Sequence, residues 1–430
     1  MFRASFSKST RDIDLRSIAQ TLPSIAQPRP DDAIPALLQG GPASSPSVHL
    51  DALRGFAAVS VLLNHWRDAF FADYSQISHN SATAAAYLAA GLGHQWVIVF
   101  FVMSGYLVGG SVLRSVAAGR WSWRSYLLAR LTRLYIVLLP ALILGGVIDH
   151  AGMHIPGAGT VYSGKSGMHA LEVDVYATSR PATLLANSLF LQTIALPGMH
   201  HQPVSTFGSN GPLWSLCNEF WYYMAFPIVV FMMSNGPSWR TRLGCGLGLL
   251  ILGWFVGPGI LLLGIPWLMG ALINYLPRIR AKRLWLNALI VASALSLFVG
   301  CLIVGKLREG SLVTDLVLGV AFSLLIWVTL YCATSPLPKV YSRLAKRAAR
   351  SSYTLYLVHL PMLVFLKAAL HAPRSIPSLH AFLISVTIFI VVLIYAQLVY
   401  QIFERNTERV RSWVRAHWFC PINRLENARL

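Results

Sequence analysis

The sequence predicts an all-α, polytopic helical membrane protein with about ten transmembrane helices plus one short re-entrant or interfacial helix. Three observations predict it. Of the 430 residues, 55% are hydrophobic and only 12% are charged, where a soluble domain carries about twice that share of charge. Mean hydropathy is +0.56. Long apolar runs recur between Leu50 and Phe403, and a helix needs ~20 such residues to cross a bilayer. The runs are continuous in Leu, Val, Ile and Ala and do not alternate with polar residues, which excludes a β-barrel.

The elements follow in order. Residues 1–48 are polar, contain Pro23, Pro28, Pro30, Pro35, Pro42 and Pro46, and lack the apolar core of a signal peptide. They read as a disordered cytoplasmic tail. A transmembrane domain is expected over 49–403, with spans near 50–70, 94–114, 125–148, 214–234, 243–256, 259–276, 284–304, 311–333, 351–371 and 379–403. Gly257-Pro258-Gly259 splits one apolar run into two antiparallel spans, and Pro336 and Pro338 end another. The segment Ala182–Leu196 is apolar but too short to span upright, so it is assigned as the re-entrant or interfacial helix. It belongs to a polar insertion from Asp149 to Pro212. Residues 404–430 form a basic cytoplasmic tail.

The net charge of +19 raises the question of nucleic acid, and the positions of the cations answer it. Arg114, Arg120 and Arg124, then Arg240 and Arg242, then Arg278, Arg280, Lys282 and Arg283, then Lys339, Arg343, Lys346, Arg347 and Arg350 occupy alternate connections. The C-terminal segment adds Arg405, Arg409, Arg411 and Arg415. The positive-inside rule places all of these in the cytoplasm, with both termini inside. The expected partner of this charge is the anionic face of the bilayer, not nucleic acid. The expected location is the cell membrane, multi-pass, or the inner membrane in a Gram-negative source. Five cysteines (Cys217, Cys245, Cys301, Cys332 and Cys420) contain no CxxC pair, and His200-His201 lacks acidic or thiol partners at ligand spacing. No metal is expected.

The chemistry concentrates in the first span. Arg54 and His65 are eleven residues apart, which returns them to one helix face about 16 Å apart along the axis. Ionisable residues inside a span are costly, about 2.5–3.5 kcal/mol at the centre on insertion scales, and mark function. Asp51 lies one turn from Arg54 and is expected to pair with it. Asp68 lies one turn beyond His65 and is expected to orient it. Glu219 sits in the aromatic run LWSLCNEFWYY, where His65 or an arginine is its expected partner. Arg130 and Arg133, one turn apart, suit phosphate oxygens. Ser104 and Gly105 either admit a neighbouring helix closely or, with Phe100, Phe101 and Tyr106, wall a pocket. His359 is either a polar anchor or a packed histidine.

Five stretches, in order, resemble the signatures of the acyltransferase-3 family. The run SVHLDALRGFAAVSVLLNH from Ser47 is similar to its first-helix Arg/Lys-x10-His pattern. FFVMSGYLV from Phe100, RLTRLYIVLLP from Arg130, LWSLCNEFWYYMAFP from Leu213 and SSYTLYLVHLP from Ser351 resemble the later motifs. Cys217 stands within the fourth motif at a place the family often fills with Ser. The resemblance implies an integral membrane O-acyltransferase that moves an acyl group, most simply acetyl, from a CoA thioester to a hydroxyl of a cell-surface carbohydrate or a lipid-linked sugar. No bound cofactor is expected; acyl-CoA is the donor substrate. It implies His65, Arg54 and Glu219 as catalytic residues. Arg130, Arg133, Ser104, Gly105 and Tyr106 are expected on the donor, and Trp214, Tyr223, Asp68 and His359 on the acceptor. A covalent relay would need a nucleophile, for which Ser104 is the available residue. The alternative class is a secondary transporter using Arg54, His65 and Glu219 as an anion or proton path; the sequence lacks the internal repeat many transporters show.

Overall fold

The computed structural model describes residues 45–196, 202–234, 236–277, 281, 283–308, 310–332 and 337–418. The tail up to residue 44, His200, His201, Arg278, Arg280, Lys282, Pro336 and residues 419–430 lie outside them. The chain divides into Met1–Pro42 and Ala43–Leu430, and every described residue belongs to the second unit.

Among the described residues, the longer helices of that unit are α1 Ser45–Phe70, α2 Gly93–Ser104 continued through Gly105–Gly109 and Gly110–Ala117, α3 Trp123–Met153, α4 Leu213–Met233, α5 Trp239–Leu272, α6 Leu284–Leu307, α7 Leu312–Cys332, α8 Lys339–Ala369, α9 Leu379–Ile402 and α10 Thr407–Trp418. Eight helical stretches are long and apolar enough to cross a membrane, so the protein is a polytopic helical membrane protein. α1 is not among those eight, because Asp51, Arg54, Asn64, His65, Arg67 and Asp68 dilute its apolar content.

α5 is two spans. Gly257 breaks it with φ +79° and ψ 169°, a backbone state open to glycine alone, and the chain reverses there. Trp221 of α4 meets Phe255 before the break, while Tyr222 donates to Ile260 O and Phe226 packs on Trp267 after it. Counting α1, and the two arms of α5 separately, gives ten long helical segments where the sequence predicts about ten spans.

Local sequence explains several boundaries. Ser122, Ser238 and Ser378 accept hydrogen bonds from the backbone N–H three residues on and start α3, α5 and α9. A π turn interrupts α2 at Gly105–Gly109, a feature that recurs at functional sites. A Cβ on Gly105 would collide with the Trp267 carbonyl, and one on Gly270 with the Val102 carbonyl. These glycines let α2 and the second arm of α5 touch backbone to backbone.

α1 and α8 pack together at the centre, where Gly55 admits Ala348. At their far end Lys367 of α8 donates to Ala69 O of α1 at 2.6 Å, and Trp66 Nε1 donates to Ser385 O of α9. One face of the bundle carries Lys346, Arg350 and Arg405 and is called here the basic face. The opposite, loop face carries the connections after α1, α3 and α8.

Several expectations need correction. α8 begins at Lys339, not near residue 351, so the basic segment there is helix. Residues after 403 are not a plain tail: a 3-10 turn at Glu404–Asn406 with a buried Glu404 leads into α10. The short helix in the loop-face insertion is Pro181–Ser188 and stops well before Leu196. Phe190 and Thr193 follow it at positive φ.

Candidate active site

Three cavities line up through the bundle. The first, on the basic face, is a cleft lined by Asp51, Arg54, Arg133, Lys346, Arg350, Glu404, Arg405, Glu408 and Arg411. The second is an inner cavity of about 220 Å³ walled by Phe100, Phe101, Ser104, Arg130, Glu219 and Tyr223. The third opens near the loop face and holds Asn64, His65, Arg67, Asp68, His94, His169, Trp214 and Lys306. Arg54 and Arg133 line both the cleft and the inner cavity. Val97 and Tyr356 line both the inner and the third cavity. Two cationic side chains thus border the first two cavities in common, and two uncharged ones the second and third.

The cationic border is anchored from outside the spans. Arg133 lies 3.8 Å from Glu404, and its guanidinium sits over the Tyr353 ring at 5.6 Å. Glu404 is buried and accepts from Thr354 N at 3.2 Å and Thr354 Oγ1 at 2.5 Å. The expected Asp51–Arg54 ion pair is not among those formed by the described residues; both side chains line the cleft instead. Arg130 lies over Tyr126 at 5.9 Å, with its Nε buried and unpaired. Arg54, Arg130 and Arg133 share the inner cavity with one carboxylate, Glu219.

Glu219 does not orient His65. Tyr223, one turn along α4, donates to it at 3.2 Å. Since that hydrogen is used, Ser104 donates to the Tyr223 oxygen at 2.9 Å, and Ser104 in turn accepts from Trp267 Nε1 at 3.1 Å. Ser104 and Tyr223 thus wall the inner cavity, whereas Gly105 and Tyr106 do not reach it. Gly105 serves the contact of α2 with α5, and Tyr106 contributes its carbonyl to Asn274. Tyr223, expected on the acceptor, belongs with the arginines.

His65 lies in the third cavity, stacked on His359 with ring centroids 5.2 Å apart. His359 is fully buried; its Nδ1–H donates to Leu355 O and Tyr356 O, so its Nε2 carries the lone pair. His65 Nδ1 and His359 Nε2 have no hydrogen-bond partner among the described residues. Asp68 does not orient His65 either. It accepts from Ala170 N at 2.8 Å and faces Arg374 at 3.8 Å, tying α1 to the loop-face connections. Trp214 lines the same cavity as His65.

Beyond the spans, Arg374 donates to both oxygens of Asp73 at 2.6 and 3.3 Å. These bonds hold the Asp73 carboxyl below its usual range. His169 is raised above its usual value, by Glu172 first. Asp68, Asp73 and His169 bring their ligand atoms within 4.8 Å of one another, with Arg374 already among them.

Sequence reasoning missed Glu404, Tyr356 and a His94–Asp315 pair. Asp315, a lone carboxylate in the apolar run LVTDLVLGV, carries the signal that costly intramembrane charge should have raised.

The comparisons with known proteins agree with this architecture. Residues 48–397 match the Acyl_transf_3 family model, described as an acyltransferase domain, which covers well over half the chain. The chain belongs to the acyltransferase-3 family. It is 29% identical over 203 residues to acyltransferase MdmB of Streptomyces mycarofaciens, a match covering 46% of this chain and 43% of that protein. The chain thus matches less than half the length of this relative. No solved structure matches.

Proposed function

We propose that this protein transfers an acyl group, most simply acetyl, from a CoA thioester to a hydroxyl of a cell-surface carbohydrate or lipid-linked sugar. The observation that carries the reading is the row of three cavities, with Arg54 bordering the first two and His65 in the third. Family membership favours it over the transporter alternative.

In this reading the basic face is cytoplasmic, as the positive-inside rule requires. The cleft offers Arg54, Arg133, Lys346, Arg350, Arg405 and Arg411 against three carboxylates, which suits the phosphates of the donor. The inner cavity is walled largely by apolar side chains, among them Val97, Phe100, Phe101, Leu107 and Val108. It suits a slim thioester arm, so the nucleotide stays in the cleft while the acyl end reaches towards Tyr356. The acceptor enters the third cavity.

His65 takes the proton of the acceptor hydroxyl as the oxygen bonds to the acyl carbon. The carbon–sulfur bond breaks, and the leaving thiolate takes up the proton. General base catalysis of this kind contributes about 10²–10⁴-fold. Arg54, Arg130 and Arg133 supply positive charge on the donor side, where thiolate charge develops. Glu219 holds the Tyr223–Ser104 wall of the inner cavity.

The test is incubation of the purified protein with labelled acetyl-CoA and extracted surface glycans and lipids. Transfer that disappears in His65→Ala is expected. No thioester turnover by the wild type, or full transfer by His65→Ala, contradicts the assignment.

A further inference from the structure

The third cavity contains a second histidine that the mechanism above does not use. His94 lies in the first turn of α2, and its Nε2 is 3.0 Å from both oxygens of Asp315 on α7. Asp315 is buried. The Trp214 ring lies nearly parallel to the imidazole, at 17° and 6.5 Å between centroids. An imidazole fixed at one nitrogen by a carboxylate and along one face by an indole has one orientation. Asp315 takes the Nε2–H, which leaves Nδ1 as the ring's remaining polar atom. No described residue hydrogen-bonds that Nδ1, and His94 lines the cavity.

The placement relative to His65 is set by a helix contact. A Cβ on Gly93 would meet the side chain of Asn64 at 2.7 Å, so α1 and α2 touch at the residues just before His65 and His94. Two imidazoles from adjacent helices thus serve one cavity, and they are held differently. His65 stacks on another imidazole with no carboxylate, whereas His94 is pinned by one.

We infer that His94, held by Asp315 and Trp214, hydrogen-bonds a second hydroxyl of the acceptor and so selects which hydroxyl meets His65. This rests on the reading of the third cavity as the acceptor site. The acceptor class that fits is a polyol, not a simple alcohol, because two differently held imidazoles line the one cavity. His94 is an acceptor-binding residue here, and Asp315 a positioning residue that acts through it. A site built to hydrogen-bond a hydroxyl discriminates strongly, because its polar groups are left unpaired when the hydroxyl is absent or misplaced.

The experiment uses cells making the full chain, with the positions of chain-dependent acyl esters read by mass spectrometry and NMR of extracted glycans and lipids. Two substitutions separate binding from a structural tie. His94→Gln keeps an amide near Nε2, within reach of Asp315, but removes the group at Nδ1. His94→Asn does the opposite. Asp315→Asn leaves His94 in place and loosens its orientation. The expected result is that His94→Gln spreads the ester over more than one hydroxyl and lowers its amount about tenfold. His94→Asn and Asp315→Asn, which keep a polar group at Nδ1 but lose or loosen the tie to Asp315, fall between His94→Gln and the wild type. Acetyl-CoA affinity of the purified variants stays at the wild-type value. A single, unchanged ester position in His94→Gln overturns the inference, as does the reverse order, with His94→Asn the impaired variant. If His65→Ala retains the ester, the assignment of His65 as base fails on its own, and the positional result for His94 is still read. If the wild type forms no chain-dependent ester, the proposed function fails and the inference with it.

Discussion

The two ends of α1 hold their polar residues by different means. At the Arg54 end, charge is met by charge and by aromatic faces. Arg133 is tied to Glu404 and Tyr353, Glu404 to Thr354, and the cleft interleaves six cations with three carboxylates. At the His65 end the key imidazole has no carboxylate; it stacks on His359, whose Nδ1–H is held by two carbonyls. The first arrangement keeps guanidinium groups charged and fixed, as an anion-binding site requires. The second leaves imidazole nitrogen unpaired, as a proton acceptor requires. In the proposed function one helix joins a binding end to a reacting end, and the two are expected to respond differently to substitution.

The largest expected effect is at the reacting end. His65→Ala is expected to lower transfer about 10²–10⁴-fold with donor affinity unchanged, measured by labelled acetyl transfer beside equilibrium binding. Arg133→Ala should do the reverse. It removes a charged hydrogen-bond donor from the proposed phosphate site, a loss of about 1.5–3 kcal/mol, or about 10–150-fold in acetyl-CoA affinity, and separately leaves Glu404 without its cation.

Gly105→Ala probes what holds the inner cavity in shape. The new methyl group meets the Trp267 carbonyl, so α2 and α5 must part, at a cost of about 1–3 kcal/mol. A lowered unfolding temperature in detergent is expected, with Ser104 and Trp267 drawn apart and both donor binding and transfer reduced.

The smallest effect lies outside both ends, at the Asp73–Arg374 link on the loop face. Because Arg374 depresses the Asp73 carboxyl, its contribution is present above the unfolded value near 4 and is lost as pH falls through the folded one. Asp73→Asn should therefore cost about 1 kcal/mol or less at neutral pH, with the gap to wild type closing below about pH 4. A gap that stays constant into acid would remove the link from the account. His169 runs the other way: its raised value makes its contribution fullest in acid and lost as pH rises past the folded value.

Much of this was legible in the sequence, and the reason is periodicity. Apolar runs marked the spans, Gly257 with its neighbouring proline marked the reversal in α5, and eleven-residue spacing put Arg54 and His65 on one helix. The α8 extension was hidden because Lys339 to Arg350 reads as a basic loop. Yet Ala345, Ala349 and Ser352 are buried along one face of it, an amphipathic pattern inside a charged run.

Side-chain partnerships were the least legible part. Helical spacing proposed Asp51 for Arg54 and Asp68 for His65, because it reports only neighbours on the same helix. The partners found come from far along the chain. Asp68 meets Ala170 and Arg374, Arg133 meets Glu404, and His94 meets Asp315. Such contacts depend on how helices are arranged around α1, which hydropathy does not encode.

The central claim, that donor binding and proton transfer belong to opposite ends of α1, is tested most directly by one set of acetyl-CoA affinities. These are measured on purified wild type, His65→Ala and Arg133→Ala under identical conditions. The account predicts wild-type affinity for His65→Ala and a 10–150-fold loss for Arg133→Ala. Equal loss in the two variants, or a loss confined to His65→Ala, would contradict it.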